Sequence, residues 1–232
     1  MATTSPVLLI FGAGPNIGQA VSRTFKARGY KVALVSRSLK EGDSTKDELH
    51  VASDLSDPQS VVKAYEKVNK ELGIPSVVVY NAYASTPHNP ADDQFAVPLD
   101  LFAKGLNTNT VSAYAAAQHA VQGFAKLPET ASRTFIYTGN ILNEGPWERL
   151  LVLGTGKTAF AHVIESASRG YKEKGYNFYY ADERKADGTA IVDVNGDAHA
   201  DHFLTLANEK EQGPWQQTFV KGVGYKRFPI AK

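Results

Sequence analysis

The chain has 232 residues, 43% of them hydrophobic, which is sufficient for one substantial core. Its formal net charge of +1, with charges dispersed along the chain, gives no global attraction to nucleic acid or to a membrane surface. The absence of cysteine excludes disulfide frameworks and thiolate chemistry, and fits a cytoplasmic protein.

In chain order, Met1 to Pro6 is too short and polar for a signal peptide, and no later apolar stretch approaches the length of a membrane span. The apolar run Val7 to Phe11 leads into Gly12-Ala13-Gly14-Pro15-Asn16-Ile17-Gly18. From Gln19 to Arg28, Ala20, Val21, Thr24, Phe25 and Ala27 recur at helical spacing. The order is strand, glycine turn, helix. Small residues suit such a turn because backbone N–H groups at a helix N-terminus must come close to a pyrophosphate. A second run, Lys31 to Val35, ends at Ser36-Arg37, where a dinucleotide-binding unit presents a residue to the adenosine ribose. An acid there would accept from a 2′-hydroxyl, whereas Arg37 offers a planar cation to a 2′-phosphate, which favours NADP over NAD.

Two further strands are predicted, His50 to Ser53 running into Asp54-Leu55, and Ser76 to Tyr80 running into Asn81-Ala82. Ser85 to Pro98, with three prolines, reads as a loop, and Leu99 to Phe124 as a long helix with Phe102, Leu106, Asn109, Ala113, Ala116 and Ala117 facing inward. A strand over Thr134 to Tyr137 precedes a helix that carries Lys157 and the apolar positions Phe160, Val163, Ile164 and Ala167. The segment Gly154 to Thr158 has the end of a P-loop, but the upstream glycine it needs is replaced by Leu151. Tyr176 to Tyr180 reads as a sixth strand, and Ala181 to Arg184 as a surface loop with a local Asp–Arg pair of little energetic weight. A helix from Ala198 to about Lys210 and a strand from Gln217 to Val220 end the chain. His199 and His202, spaced i,i+3, read as a solvated helix face, and no histidine cluster suggests a metal.

The glycine turn, Asp54 after the third strand and Asn81-Ala82 after the fourth make the chain similar to the short-chain dehydrogenase/reductase family. The resemblance implies a single doubly wound α/β domain of Rossmann type over residues 1–232, with a cofactor half at about 1–125 and a divergent catalytic half at about 126–232. It places Gly12, Gly14, Asn16, Ile17, Gly18, Ser36, Arg37, Asp54, Leu55, Asn81, Ala82 and Lys157 at the cofactor. Lys157 would hydrogen-bond the nicotinamide ribose, and Asn109 corresponds to the helix asparagine that supports the family's proton relay. Tyr80 and Tyr83 stand where the family usually has a second Asn and a Gly.

The catalytic pattern departs from the family. The family places a tyrosine four residues before its lysine, and no tyrosine in this chain stands four residues before any lysine. Leu153 holds that position, and the family's serine falls at or near Asn140. In the family the tyrosine gives its proton to the alkoxide formed by hydride transfer, the lysine lowers that tyrosine's pKa, and the serine hydrogen-bonds the substrate oxygen. Leucine has no proton to give, and Asn140 donates a hydrogen bond without acting as an acid. Tyr83, Tyr137, Tyr179, Tyr180, Asp182 and His199 are the other proton donors to consider.

The expected activity is therefore that of an atypical NADP(H)-dependent oxidoreductase on a small organic substrate. The alternatives are a non-catalytic NADP-binding protein that senses the cofactor or acts through a partner, and non-redox chemistry on the same fold. A homodimer or homotetramer built on helices 99–124 and 154–174 is expected, with no nucleic-acid or membrane partner.

Overall fold

Apolar runs without alternation are what a parallel strand buried on both faces requires, and each such run becomes one. The computed structural model describes residues 5–86 and 93–229. Strands β1 (Val7–Phe11), β2 (Lys31–Ser36), β3 (Glu48–Ala52), β4 (Val77–Tyr80), β5 (Thr134–Thr138), β6 (Asn177–Arg184) and β7 (Gln216–Val220) run parallel, and the short β8 (Gly224–Tyr225) adds antiparallel to β7. The sheet order is β3-β2-β1-β4-β5-β6-β7-β8. The order reverses between β1 and β4, and in open α/β sheets such a switch point opens a ligand crevice beyond the C-terminal strand ends.

Helices cover both faces of this single Rossmann-like domain. On one face, α1 (Ile17–Lys26) and α6 (Gly196–Asn208) enclose a core containing Leu8, Ile10, Phe25, Tyr179 and Phe203. On the other lie α2 (Pro58–Glu71), α4 (Ser112–Phe124) and α5 (Leu151–Gly170), over Phe11, Tyr65, Tyr80, Phe124, Tyr137 and Phe160. Each large apolar side chain buried in these layers contributes about 1.5–3 kcal/mol. Helix α2 starts where its sequence says it should, with the Asp57 carboxylate accepting from the Gln59 N–H and Pro58 in the first turn.

The long helix predicted over 99–124 contains a π-helical segment, Asn107–Val111, between α3 (Leu99–Leu106) and α4. A π segment, with i→i+5 pairing, shifts the backbone register. Within it, Thr108 O and Asn109 O accept hydrogen bonds from the tyrosines Tyr80 (2.6 Å) and Tyr137 (2.8 Å). Asn109, Ala113, Ala116 and Ala117 face inward as expected, but Phe102 and Leu106 are only half-buried.

Two expectations are corrected. Ala181 to Arg184 is not a surface loop: β6 continues through it, with Asp182 0% and Arg184 3% exposed. The strand is held on both sides, Thr138↔Ala181 against β5 and Asp182↔Thr218 and Arg184↔Val220 against β7. The charges are tolerated because Arg184 pairs with Asp182 at 2.5 Å and Glu144 at 3.2 Å. Likewise His199 and His202 do not form a solvated face. Both are buried, with their rings packed on Phe219. Among the described residues no group of His, Cys, Asp and Glu is arranged to hold a metal, and no helix is long and apolar enough to cross a membrane.

Candidate active site

The glycine turn is fixed by contacts across the switch point. Gly12 has φ +85°, and a Cβ there would lie 2.3 Å from the Ala82 nitrogen, so both its conformation and its surroundings require glycine. Asn81 ties the two strand ends together: its N–H donates to Phe11 O at 2.7 Å and its Nδ2 to Gly12 O at 2.8 Å. A Cβ on Gly18 would lie 2.6 Å from Ala13 Cα, which explains its role as a packing glycine. Gly14 differs from both. Its φ is not positive, and a Cβ there would meet no protein atom within 4 Å. Nothing in the protein itself demands glycine at that position. A ligand lying against the backbone would.

A cleft of about 560 Å³ opens at this point, and Gly12, Gly14, Ser36, Arg37, Asp54, Leu55, Asn81 and Ala82 all line it. Eight of the residues read from the sequence thus converge on one cavity. Ser38, Ser53, Ser56, Ser85, Thr86 and Lys104 line it as well. Ser38, Ser53 and Ser56 adjoin the motifs read from the sequence, whereas Ser85, Thr86 and Lys104 stand in no recognisable motif and reach the cleft through the fold. Arg37 is exposed and close enough to Asp54 to help lower that carboxyl's pKa, an effect led by the Ser56 N–H bonded to it. Asn16 and Ile17 lie at the start of α1 outside the cleft lining; Asn16 caps nothing with its side chain, and its Nδ2 donates to Val194 O at 2.9 Å. The turn therefore sits beside the segment leading into α6.

Lys157 and Asn109 are brought together but not into the cleft. A Cβ on Gly156 would lie 2.4 Å from Asn109 Cβ, so a glycine lets the π segment pack directly on α5 one residue before Lys157. The Asn109 amide is spent on the loop after β4, accepting from the Ala84 N–H and donating to Ala84 O, both at 2.8 Å. Lys157 is buried. Its Nζ donates to Thr138 O at 2.6 Å and lies 4.4 Å from the centre of the Tyr137 ring. Burial pushes this amine down to about 7, against the attraction of Asp182. Leu153 is buried in α5. Asn140, after β5, uses its Oδ1 to accept from the Leu142 N–H at 3.1 Å and lines a second, smaller cavity.

The other proton donors separate by environment. Tyr80, Tyr137 and Tyr180 stand in register on adjacent strands and their rings stack at 5.9 and 5.8 Å between centres. Burial raises the pKa of each, and each hydroxyl donates to a backbone carbonyl, Tyr180 to Asn140 O at 2.8 Å. A Cβ on Gly139 would collide with the Tyr180 ring at 2.1 Å, so that ring fills the space behind the β5 end. Tyr179 is turned to the other face, near Glu211 O. Asp182 is pushed up to about 6 by burial, with Arg184 opposing the shift. His199 is pushed down to about 4 by burial and is therefore neutral at pH 7. Tyr83, 67% exposed, is the tyrosine in this set that lines the cleft.

The family model described as short chain dehydrogenase matches residues 6–179, ending three residues before Asp182. The chain is 48% identical over 238 residues to the short chain dehydrogenase/reductase dmxR12 of Cryptosporiopsis sp. (strain 8999), covering 97% of this chain and 96% of that one. It is 25% identical over 179 residues to the short chain dehydrogenase/reductase dpchG of Colletotrichum higginsianum, covering 72% and 64%. Among solved structures, a metagenomic short-chain oxidoreductase in complex with NADP superposes with a TM-score of 0.79 at 16% identity, covering 95% of this chain and 99% of that one. A Brucella ovis oxidoreductase of the short chain dehydrogenase/reductase family, in complex with a partially ordered NAD, superposes with a TM-score of 0.70 at 19% identity, covering 88% and 94%. The chain belongs to the short-chain dehydrogenase family, whose fold binds a nicotinamide dinucleotide.

Proposed function

We infer that the protein binds NADP(H) and acts as an atypical oxidoreductase on a small organic substrate, without the family's tyrosine as proton donor. The observation that carries the cofactor reading is Gly14, a glycine that opens on the cleft and that no protein contact requires, with Arg37 in the wall of the same cleft. In this reading the turn at Gly12 to Gly18 takes the pyrophosphate, Arg37 and Ser36 the 2′-phosphate, Asp54 and Leu55 the adenine side, and Asn81 and Ala82 the segment toward the nicotinamide. The cofactor supplies or accepts a hydride. What the chain supplies is orientation and charge, since Leu153 leaves no acid at the usual place.

The second reading, cofactor binding without turnover, is favoured by Lys157 itself. Its amine is buried on the Thr138 carbonyl and outside the lining of the cleft, whereas the resemblance assigns it to the ribose.

Titration calorimetry with NADPH and NADH tests the cofactor assignment, and Gly14→Ala tests its geometry. NADPH is expected to bind about tenfold more tightly than NADH. Gly14→Ala is expected to keep the wild-type melting temperature and lose most NADPH affinity, because its methyl group would occupy the cleft and touch no protein atom. Equal affinities, or undiminished binding by Gly14→Ala, would remove the basis for the assignment. Cofactor oxidation across a panel of small carbonyl compounds separates the two readings.

A further inference from the structure

Two helices on the same face of the sheet, α1 and α6, each begin after an asparagine, a residue type that ranks among the strongest N-caps. Asn195 acts as one: its Oδ1 accepts from the Ala198 N–H at 2.9 Å, while its own N–H donates to Glu183 Oε2 at 2.7 Å. Asn16 does not. Its side chain accepts from no N–H of α1, and its Nδ2 donates instead to Val194 O at 2.9 Å. In the first turn the Gln19 N–H turns back to Gly14 O and the Ala20 N–H to Asn16 O, which leaves the N–H groups of Ile17 and Gly18 without an acceptor among the described residues. The cofactor reading gives these groups to the pyrophosphate, and a capping side chain at position 16 would compete for them.

The bond to Val194 is built into the packing. Gly196 lies so close to Asn16 that a Cβ there would stand 2.5 Å from Asn16 Oδ1 and 2.8 Å from Asn16 O, so a residue without a side chain is what permits the approach. Ile191, Val192 and Val194 form part of the wall of the second cavity, and none of residues 190–196 lines the cofactor cleft. Beyond Gly196 the same interface carries an Arg23–Asp197 ion pair, 2.9 Å long and exposed at both ends, which adds little. Among the described residues, the Asn16 amide is therefore the side-chain hydrogen bond that joins the glycine turn to the wall of the second cavity.

We propose that Asn16 is a positioning residue that does not touch the cofactor: by donating to Val194 O it keeps its side chain off the first turn of α1, and it ties the wall segment 190–195 to the glycine turn. The proposal rests on the NADP(H) reading above and gives a different role to a residue that the resemblance places at the cofactor itself. Its consequence is reciprocal. Occupation of the cleft shifts the wall of the second cavity through Asn16, and a change at that wall alters cofactor affinity by the same factor.

Hydrogen exchange read by mass spectrometry tests the link, with 2′,5′-ADP as the probe because it is the adenosine half of NADP and carries no nicotinamide toward residues 190–195. In the wild-type protein 2′,5′-ADP is expected to slow exchange in that segment about fivefold. Asn16→Ala is expected to bind 2′,5′-ADP and to leave exchange there unchanged, and Gly196→Ala, whose methyl group would crowd Asn16 off Val194, is expected to behave in the same way. Titration calorimetry with NADPH tests the helix end. Serine is a strong N-cap with too short a side chain to hold Val194 O, so Asn16→Ser is expected to melt at a higher temperature than Asn16→Ala and to bind NADPH about fivefold more weakly. Binding of 2′,5′-ADP without slower exchange at 190–195, the same slowing in Asn16→Ala, or equal NADPH affinity of the Ser and Ala variants would overturn the proposal while leaving the cofactor reading intact. Failure of the wild-type protein to bind both NADPH and 2′,5′-ADP would overturn both.

Discussion

The hydroxyl of Tyr137, in the middle of the sheet, donates at 2.8 Å to the carbonyl oxygen of Asn109, in the π segment. Strand and helix are thus joined at the residue the resemblance assigns to the proton relay. The bond ties the middle of the sheet to the π segment. Tyr137→Phe leaves that buried carbonyl without its donor and is expected to destabilise the protein by about 1–3 kcal/mol. Urea unfolding measures this, and a change below about 0.5 kcal/mol would mean that the bond has little weight.

Arg37 is exposed, so the bond to a 2′-phosphate proposed for it would be partly screened by solvent. Charge-assisted hydrogen bonds of this kind contribute about 1.5–3 kcal/mol, and the lower end applies here. Arg37→Ala is expected to weaken NADPH binding about tenfold and to leave NADH binding unchanged. Calorimetry on both cofactors checks it, and an equal loss for both would assign Arg37 a role other than reading the phosphate.

The resemblance puts Leu153 at the family's tyrosine position and Asn140 at or near its serine, and on the proposed reading the protein is expected to show little or no reduction of common ketones and aldehydes at saturating NADPH. Loss of a positioned general acid lowers rates by about 10²–10⁴. Leu153→Tyr with Asn140→Ser is expected to create weak carbonyl reductase activity, limited by the need for Lys157 to leave the Thr138 carbonyl. Robust ketone reduction by the unmodified protein, abolished by Tyr83→Phe or Asp182→Asn, would place the proton donor elsewhere.

Lys157 also gives the stability a pH dependence. Burial pushes its amine down to about 7, while the unfolded chain keeps the ordinary value of 10.5. Between these values the unfolded state binds more protons, so this group makes stability rise with pH, and its full penalty is present below pH 7. Relative to Lys157→Met, the wild-type protein is expected to gain about 1–3 kcal/mol between pH 7 and 9. Denaturant titrations at the two pH values test this, and parallel behaviour of the two proteins would contradict it.

Helices 99–124 and 154–174 are expected to form a two-fold interface. On the first of them Val111 is 44% and Tyr114 54% exposed, an apolar surface that association would cover. Light scattering at micromolar concentration is expected to show a dimer or tetramer, and Val111→Lys with Tyr114→Lys a monomer. A wild-type monomer would contradict the assignment.

The sequence by itself determined the parts of the protein that depend on local chemistry. Runs such as Val7 to Phe11 and Val77 to Tyr80 specify strands buried on both faces, Asp57-Pro58 starts α2, and Gly12 marks the turn at the switch point. Much of the cleft was legible for the same reason, since each of its walls is a strand end that carries its own short motif, at Gly12, Arg37, Asp54 and Asn81. Tertiary structure alone decided where charge is buried. Asp182, Glu183 and Arg184 look like a solvated loop in the sequence because three consecutive charged residues ordinarily stay in water. They continue a strand because β7 pairs with each of them beyond the last β5 partner at Ala181, while Glu144 and Asn195, about 40 residues before and 12 after, supply hydrogen-bond and ion-pair partners. The histidines of α6 are buried by the same long-range packing, against Phe219 on β7. The orientation of Lys157 belongs to this second class too, because a lysine in a helical pattern says nothing about which carbonyl, from a strand 19 residues earlier, will accept its hydrogen bond.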